Sequence, residues 1–418
     1  MAATIAISLV GLQIITTALI LALTSHASVH RSSGLLLLIY CAYLQTPYIT
    51  HVRNPVVRGV LANSPFVLTI LYIDKALLSR WTFTARGPTS SLGGLQPVPE
   101  DETPNQSRKS HLGGGMANGV GPRLHFGLGL SLQSRFAGTR WPVKNIPAFD
   151  KANPGHVPSK ARFLRAAVPK LALYVLILDL AGFLNRSSNN DVIFSAEQVP
   201  LFSRLGNVSG EDLITRTASI LAFWSMQYIV IEVVYGAIAI AAVVSGLSAT
   251  GAWPPVFGSL SDSYSLRQFW GCFYHQLVRR GCGSIAHALT YRLLGLNHGG
   301  FLGRYLFMLL TFAVSGAFHT FSDVSQGVPL RESGAVTFFC IQTVGIMIED
   351  GVQALCPSSA GKTGRQQRVH VLRRLAGYLW VVAWLVWTTP GWTYPMMRRD
   401  RGDRLLPFSV LANVPGIH

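Results

Sequence analysis

The feature that most constrains this chain is a set of long, nearly uncharged apolar runs that recur from Thr4 to Pro390. A run of about 17 to 25 such residues spans a bilayer, and lipid offers no hydrogen bonds, so each run must satisfy its own backbone as a helix. The runs are Thr4 to Thr24, Gly34 to Thr50, Val56 to Leu78, Ala166 to Leu184, Arg216 to Leu247, Phe301 to Phe321, Ala335 to Ala354 and Leu372 to Pro390. Ser284 to Leu296 is shorter, and reads as re-entrant or interfacial. The expected fold is all-α: a multi-pass transmembrane helical bundle of about eight spans. The first run is too long for a signal-peptide core and has no basic segment before it, so it reads as a retained anchor. Val56 to Leu78 carries Arg58, Asp74 and Lys75, which leaves an interfacial helix open there. Composition agrees with a lipid setting, since 49% of residues are hydrophobic and 13% charged, against roughly 25% charged in a soluble chain.

Between the third and fourth runs the periodicity stops. Residues Arg80 to Arg165 hold twelve Lys and Arg against four acids, a net charge of +8, and Gly87 to Gly121 is rich in Gly, Pro, Ser and polar residues. That composition cannot bury a core, so this basic loop is expected to be largely disordered. By the positive-inside rule it is cytosolic, as are Gly251 to Gly281 and Cys356 to Arg374, while Asn185 to Asp212, with two basic and four acidic residues, is lumenal. Asn185-Arg-Ser and Asn207-Val-Ser are glycosylation sequons on that side. The organisation expected is N-terminal membrane helices in 1–82, the basic loop in 83–165, a helical membrane core in 166–395 and a tail in 396–418.

The overall charge of +17 invites a nucleic-acid partner, but the basic residues sit in the gaps between apolar runs, where they suit anionic lipid. Cys41, Cys272, Cys282, Cys340 and Cys356 are odd in number and form no CxxC pair, so neither a disulfide framework nor a metal site is indicated. Gly361-Lys-Thr lacks the earlier glycine of a phosphate loop, and Gly127-Leu-Gly lacks the third glycine of a dinucleotide fingerprint. His26 and His30 have no further ligand nearby and read as interfacial.

Polar residues inside the runs are more informative. Glu232 lies in the middle of the run from Arg216 to Leu247, which is long enough to be tilted or broken. At that depth it needs a partner or a cavity, and the sequence names neither. His319 lies near the end of an apolar helix. It is either a hydrogen-bonded link between helices or a general base, since an imidazole kept neutral by an apolar setting can take a proton. Ser261 to Arg280 mixes aromatic and basic residues and reads as an amphipathic interfacial helix, with Phe269, Trp270, Phe273 and Tyr274 at headgroup level and Arg267, Arg279 and Arg280 facing lipid phosphate or a CoA phosphate.

Phe-Trp-Gly-Cys-Phe-Tyr-His-Gln at 269–276 and Ser-Gly-Ala-Phe-His at 315–319 resemble, in that order, the two signature motifs of wax-synthase-type membrane-bound O-acyltransferases. Arg140-Trp-Pro-Val-Lys-Asn-Ile-Pro, Pro254-Pro-Val-Phe-Gly-Ser-Leu-Ser-Asp and Gly377-Tyr-Leu-Trp-Val-Val-Ala-Trp extend the likeness over residues 137–395, toward the fungal branch that acetylates terpenoids and meroterpenoids. The resemblance implies an endoplasmic-reticulum enzyme that moves acetyl from acetyl-CoA, a co-substrate rather than a bound cofactor, to a hydroxyl of a hydrophobic small molecule. It implies His319 as the base and His275 as the group that positions the thioester or stabilises its oxyanion. Trp270, Tyr274, Arg267 and Arg279 are then the substrate and CoA contacts, with no metal. The family's usual residue before the second histidine is Trp, and Tyr274 stands there instead, which puts acyl-chain preference in doubt. A long-chain wax or sterol ester synthase differs only in pocket length. A proton-coupled transporter would also explain Glu232 and His319, but the apolar pattern shows no internal repeat and the paired motifs would go unexplained.

Overall fold

A computed structural model describes residues 1–94, 119–184, 190–355 and 364–400, with residues 402, 405, 406 and 409. In chain order its helices are α1 (Ala2–Leu23), α2 (His30–Ile49), α3 (Pro55–Tyr72), α4 (Val120–Leu132), α5 (Lys160–Leu184), α6 (Asn190–Ile193) and α7 (Gly210–Val244). There follow α8 (Leu266–Gln268), α9 (Arg279–His287), α10 (Phe301–Ser325), α11 (Ala335–Leu355), α12 (Gly364–Thr388) and α13 (Pro390–Met397). Wider π-helical turns extend α3 over Ile73–Leu78, α8 over Phe269–Phe273 and α9 over Ala288–Leu293. The described residues contain no strand, and one isolated antiparallel bridge joins Thr82 to Gly87. Among the described residues six helices are long and apolar enough to cross a membrane: Ala2–Leu23, Pro55–Leu78, Lys160–Phe183, Gly210–Val244, Phe301–Ser325 and Leu330–Leu355. The other two expected spans, Gly34 to Thr50 and Leu372 to Pro390, coincide with the helices α2 and α12, which are not among those six.

The chain divides into two compact units, one of Met1–Pro158, Ala249–Pro254 and Gln276–Leu330, the other of Ser159–Ser248, Pro255–His275 and Arg331–His418. In the first, Asp74 and Lys75, the residues that weakened the third run, are fully buried. Arg280 grips Asp74 with two hydrogen bonds of 2.8 Å, and the Ser79 hydroxyl donates to the same carboxylate at 2.8 Å. Lys75 donates to the Ser131 carbonyl at 3.2 Å. The charges are thus paid for internally, and the helix need not lie at the interface. Arg31, 2% exposed, gives its guanidinium to the carbonyls of Ala76, in the last turn of the π segment, and of Trp81 just beyond it, at 3.0 and 2.8 Å.

The basic loop contains a helix that its composition hid. Gly121, Gly127 and Gly129 give Val120–Leu132 poor intrinsic helicity, yet α4 packs closely on α1. A Cβ at Gly127 would strike the Ala18 carbonyl oxygen, so the glycine serves that approach. Phe126 and Leu130 of α4 join Leu21, Leu38, Tyr72 and Trp81 in a buried cluster. Residues 95–118, most of the Gly87 to Gly121 stretch, lie outside the described residues.

In the second unit α7 is one unbroken helix, about 50 Å long at 1.5 Å per residue. It starts in a capping box, with the Asp212 amide donating to the Ser209 hydroxyl at 3.0 Å and the Ser209 amide to the Asp212 carboxylate at 2.9 Å. Arg216 is buried, and donates to the carbonyls of Val386 and Trp387 at 2.9 and 3.1 Å and to that of Gln198 at 2.7 Å. Glu232 has the partner that the sequence did not name: Lys170 of α5, at 2.9 Å. Removing one member of a buried ion pair strands the other, at a cost of about 3–5 kcal/mol. Asp74→Ala is therefore expected to lower the unfolding midpoint of detergent-purified protein markedly, and an unchanged midpoint would contradict a structural role for the Asp74–Arg280 pair.

Candidate active site

The first motif does not form the single amphipathic helix expected over Ser261 to Arg280. Ser265 opens a helical turn by accepting from the Gln268 amide at 3.1 Å. The turn then widens into the π segment Phe269–Phe273, closed by the Tyr274 amide donating to the Phe269 carbonyl at 2.7 Å. The chain is extended at Tyr274 and becomes helical again at Arg279. One extra residue per turn is a feature often found at functional sites. Gly258 explains the neighbouring Pro-Pro-Val-Phe-Gly: its amide donates to the Phe273 carbonyl at 2.8 Å, and a Cβ there would strike the Cys272 carbonyl oxygen.

A carboxylate fixes the start of this segment. Glu349 of α11, 7% exposed, accepts from the amides of Leu266 and Arg267, the latter at 3.1 Å, and from the Trp380 indole at 3.0 Å. A negative charge at the amino end of a helical turn is favourable, and three N–H donors satisfy it away from water. Two turns earlier on α11, the Gln342 side-chain oxygen accepts from the Trp270 indole at 3.2 Å and the Trp384 indole at 3.1 Å. Trp270 in turn meets Tyr274 edge to face, with ring centroids 5.3 Å apart, and Tyr274 lies 4.6 Å from the His275 ring. Trp224 of α7 packs edge-on against both Trp270 and Tyr274, at 5.9 and 5.3 Å. Burial pushes the Tyr274 phenol well above the ordinary tyrosine range, so it stays neutral.

The structure thus brings Trp270, Tyr274 and His275 together within one unit. Arg267 is on the same segment, exposed and paired with Asp350 at 2.6 Å, so part of its charge is already answered. Arg279 and His319 belong to the other unit. Arg279 begins α9 and donates to the Gln276 side chain at 2.8 Å. Arg280 does not face lipid or CoA as expected: it is buried against Asp74, because a carboxylate some two hundred residues away offers a better partner than the interface. His319 is half-buried on α10, its ring 4.1 Å from that of Phe318. Phe318 packs with Ile70 of α3 and Cys282 of α9, so the backbone beside the histidine is held on two sides. Among the described residues no group of three or more His, Cys, Asp or Glu is placed to hold a metal ion.

Sequence reasoning passed over Glu349, Gln342 and Trp224. An ionisable residue inside an apolar run needs a partner or a cavity, and Glu349 in Ala335 to Ala354 is such a residue as much as Glu232 is. Gln342 and Trp224 carry no comparable signal, because their partners are remote in sequence.

Residues 253–341 match the profile of the membrane bound O-acyl transferase family, a span that takes in both motifs. The chain is 43% identical over 415 residues to acetyltransferase fsoF of Humicola fuscoatra, covering 97% of this chain and 99% of that one. It is 37% identical to acetyltransferase aurG of Calcarisporium arbuscula, over 81% of this chain and 79% of the relative. Acetyltransferase spyB of Aspergillus fumigatus is 32% identical over 66% of this chain and 48% of its own. No solved structure matches. With a near-full-length relative at that identity, the chain belongs to the membrane-bound O-acyltransferase family. It is an integral membrane acyltransferase of the kind found among fungal acetyltransferases.

Glu349→Leu would leave three N–H groups without their acceptor, at about 1–3 kcal/mol for each one that stays buried. The expected result is a fall in unfolding midpoint together with loss of acyl transfer, whereas Glu349→Gln, which keeps an acceptor oxygen, should retain more of both. Equal behaviour of the two variants would show that acceptor capacity at this position is unimportant.

Proposed function

We propose that this enzyme transfers the acetyl group of acetyl-CoA to a hydroxyl of an apolar terpenoid or meroterpenoid. The observation that carries the reading is the 43% identity, over 97% of the chain, with a protein named an acetyltransferase. The terpenoid acceptor rests on the resemblance of the motifs at 269–276 and 315–319 and their flanking segments to the fungal branch of the family.

In the proposed step the neutral His319 imidazole removes the proton of the acceptor hydroxyl as its oxygen attacks the thioester carbonyl carbon. The tetrahedral adduct collapses with cleavage of the carbon–sulfur bond, and the imidazolium returns its proton to the departing CoA sulfur, so base and acid are one residue. His275 donates to the carbonyl oxygen as charge develops there. Trp270 and Tyr274 form the aromatic surface beside it, and Arg267 and Arg279 attract the phosphates of CoA. The half-buried setting of His319 beside Phe318 supports an imidazole that a substrate can reach. Localisation to the endoplasmic reticulum, with the basic 80–165 loop in the cytosol where acetyl-CoA is made, completes the reading.

Positioned general bases contribute about 10²- to 10⁴-fold. His319→Ala is expected to lower ester formation at least that far in microsomes given labelled acetyl-CoA and a panel of terpenoid alcohols, with the protein level unchanged by immunoblot. His275→Ala is expected to lower turnover more than protein level. Undiminished ester from His319→Ala would remove its role as base. A preference for palmitoyl-CoA would contradict the donor, and label held inside sealed vesicles without ester would indicate transport.

A further inference from the structure

We propose that Gln342 is a positioning residue that sets donor selectivity by fixing the Trp270 indole, and through it the Tyr274–His275 wall. The proposal rests on the acetyl-transfer reading. Gln342 lies on α11, is fully buried, and cannot itself meet a substrate. Its amide orientation is determined, since Nε2 donates to the Phe338 carbonyl one turn back at 2.8 Å, which turns Oε1 toward the two indoles. That oxygen accepts from Trp270 at 3.2 Å and from Trp384 at 3.1 Å, so both of its lone pairs are used.

A half-buried tryptophan among other rings can meet them in more than one offset or edge-to-face arrangement. Trp270 lies about the same distance from Phe269, Tyr274, Trp224 and Phe339, at 5.1, 5.3, 5.9 and 5.9 Å between centroids. Ring contacts on several sides hold the indole in place without by themselves selecting one of these arrangements. A hydrogen bond to a buried, saturated acceptor does choose, since any other orientation leaves the indole N–H and an amide lone pair unmet in apolar surroundings. The chosen orientation aims the ring edge at Tyr274, whose own ring contacts His275. Freed from Gln342, the indole would swing, and the surface next to His275 would no longer exclude a longer acyl group.

The test compares kcat/KM for acetyl-CoA and butyryl-CoA in purified wild type, Gln342→Met, Trp270→Phe, the double variant and Trp384→Phe. Gln342→Met is expected to reduce the acetyl-over-butyryl preference about tenfold, with more of the change in the butyryl term than in folded yield. Trp270→Phe removes the same bond from the other side and is expected to do likewise, the double variant adding nothing beyond either. Trp384→Phe, which loses only the second indole, is expected to keep the wild-type preference. Trp270→Phe also serves if Gln342→Met does not fold. An unchanged preference in the single variants, or additive effects in the double, would overturn the positioning role while leaving acetyl transfer intact. A wild type that acylates no acceptor would instead contradict the acetyl-transfer reading, and the positioning role with it.

Discussion

A carboxylate sunk in an apolar helix, Glu349, gathers two backbone amides and an indole at the point where the first motif begins. Away from water the charge and the amides each carry a desolvation cost of several kcal/mol unless they meet one another. Their meeting therefore fixes both the start of the segment and the face that α11 turns toward it. Everything the motif presents, from Trp270 to His275, follows from where that first turn is pinned.

The same rule recurs wherever the chain carries a polar group into an apolar setting. In each of the two units a buried arginine, Arg31 or Arg216, collects carbonyls at or just beyond helix ends. Asp74 meets Arg280, and Glu232 meets Lys170. These contacts are directional where hydrocarbon packing is not, so they settle helix rotation and depth that apolar contacts would leave loose. The π segment at Phe269–Phe273 is stable in this setting because its ends are held, by Ser265 and Glu349 before it and by the Gly258 amide at the Phe273 carbonyl after it.

How far the sequence could be read follows from the range of each interaction. Membrane helices were legible because the signal is local: an apolar run must close its own hydrogen bonds, and no distant residue changes that. His275 and His319 stand out in the sequence only through the resemblance of their motifs to a known family, and their roles remain part of the proposed function. Helix α4 was not, because its glycines lower its own propensity and its stability comes from the groove it fills on α1, with Gly127 against Ala18. The reading that counted Asp74 and Lys75 against a span, and sent Arg280 to the headgroups, failed for one reason: the answering charge lies far along the chain. Ser261 to Arg280 looked like one helix because its composition is amphipathic, and composition does not reveal a π turn or the extended residue after it.

The central claim is that the His319 imidazole meets the thioester and the acceptor alcohol at one place. The most direct measurement is a cryo-EM structure of the purified enzyme with a non-hydrolysable acetyl-CoA analogue and a terpenoid alcohol. The account predicts the alcohol oxygen within hydrogen-bonding distance of a His319 ring nitrogen, about 2.6–3.2 Å, with the thioester analogue alongside. A His319 ring enclosed by side chains, with the analogue bound elsewhere, would contradict it.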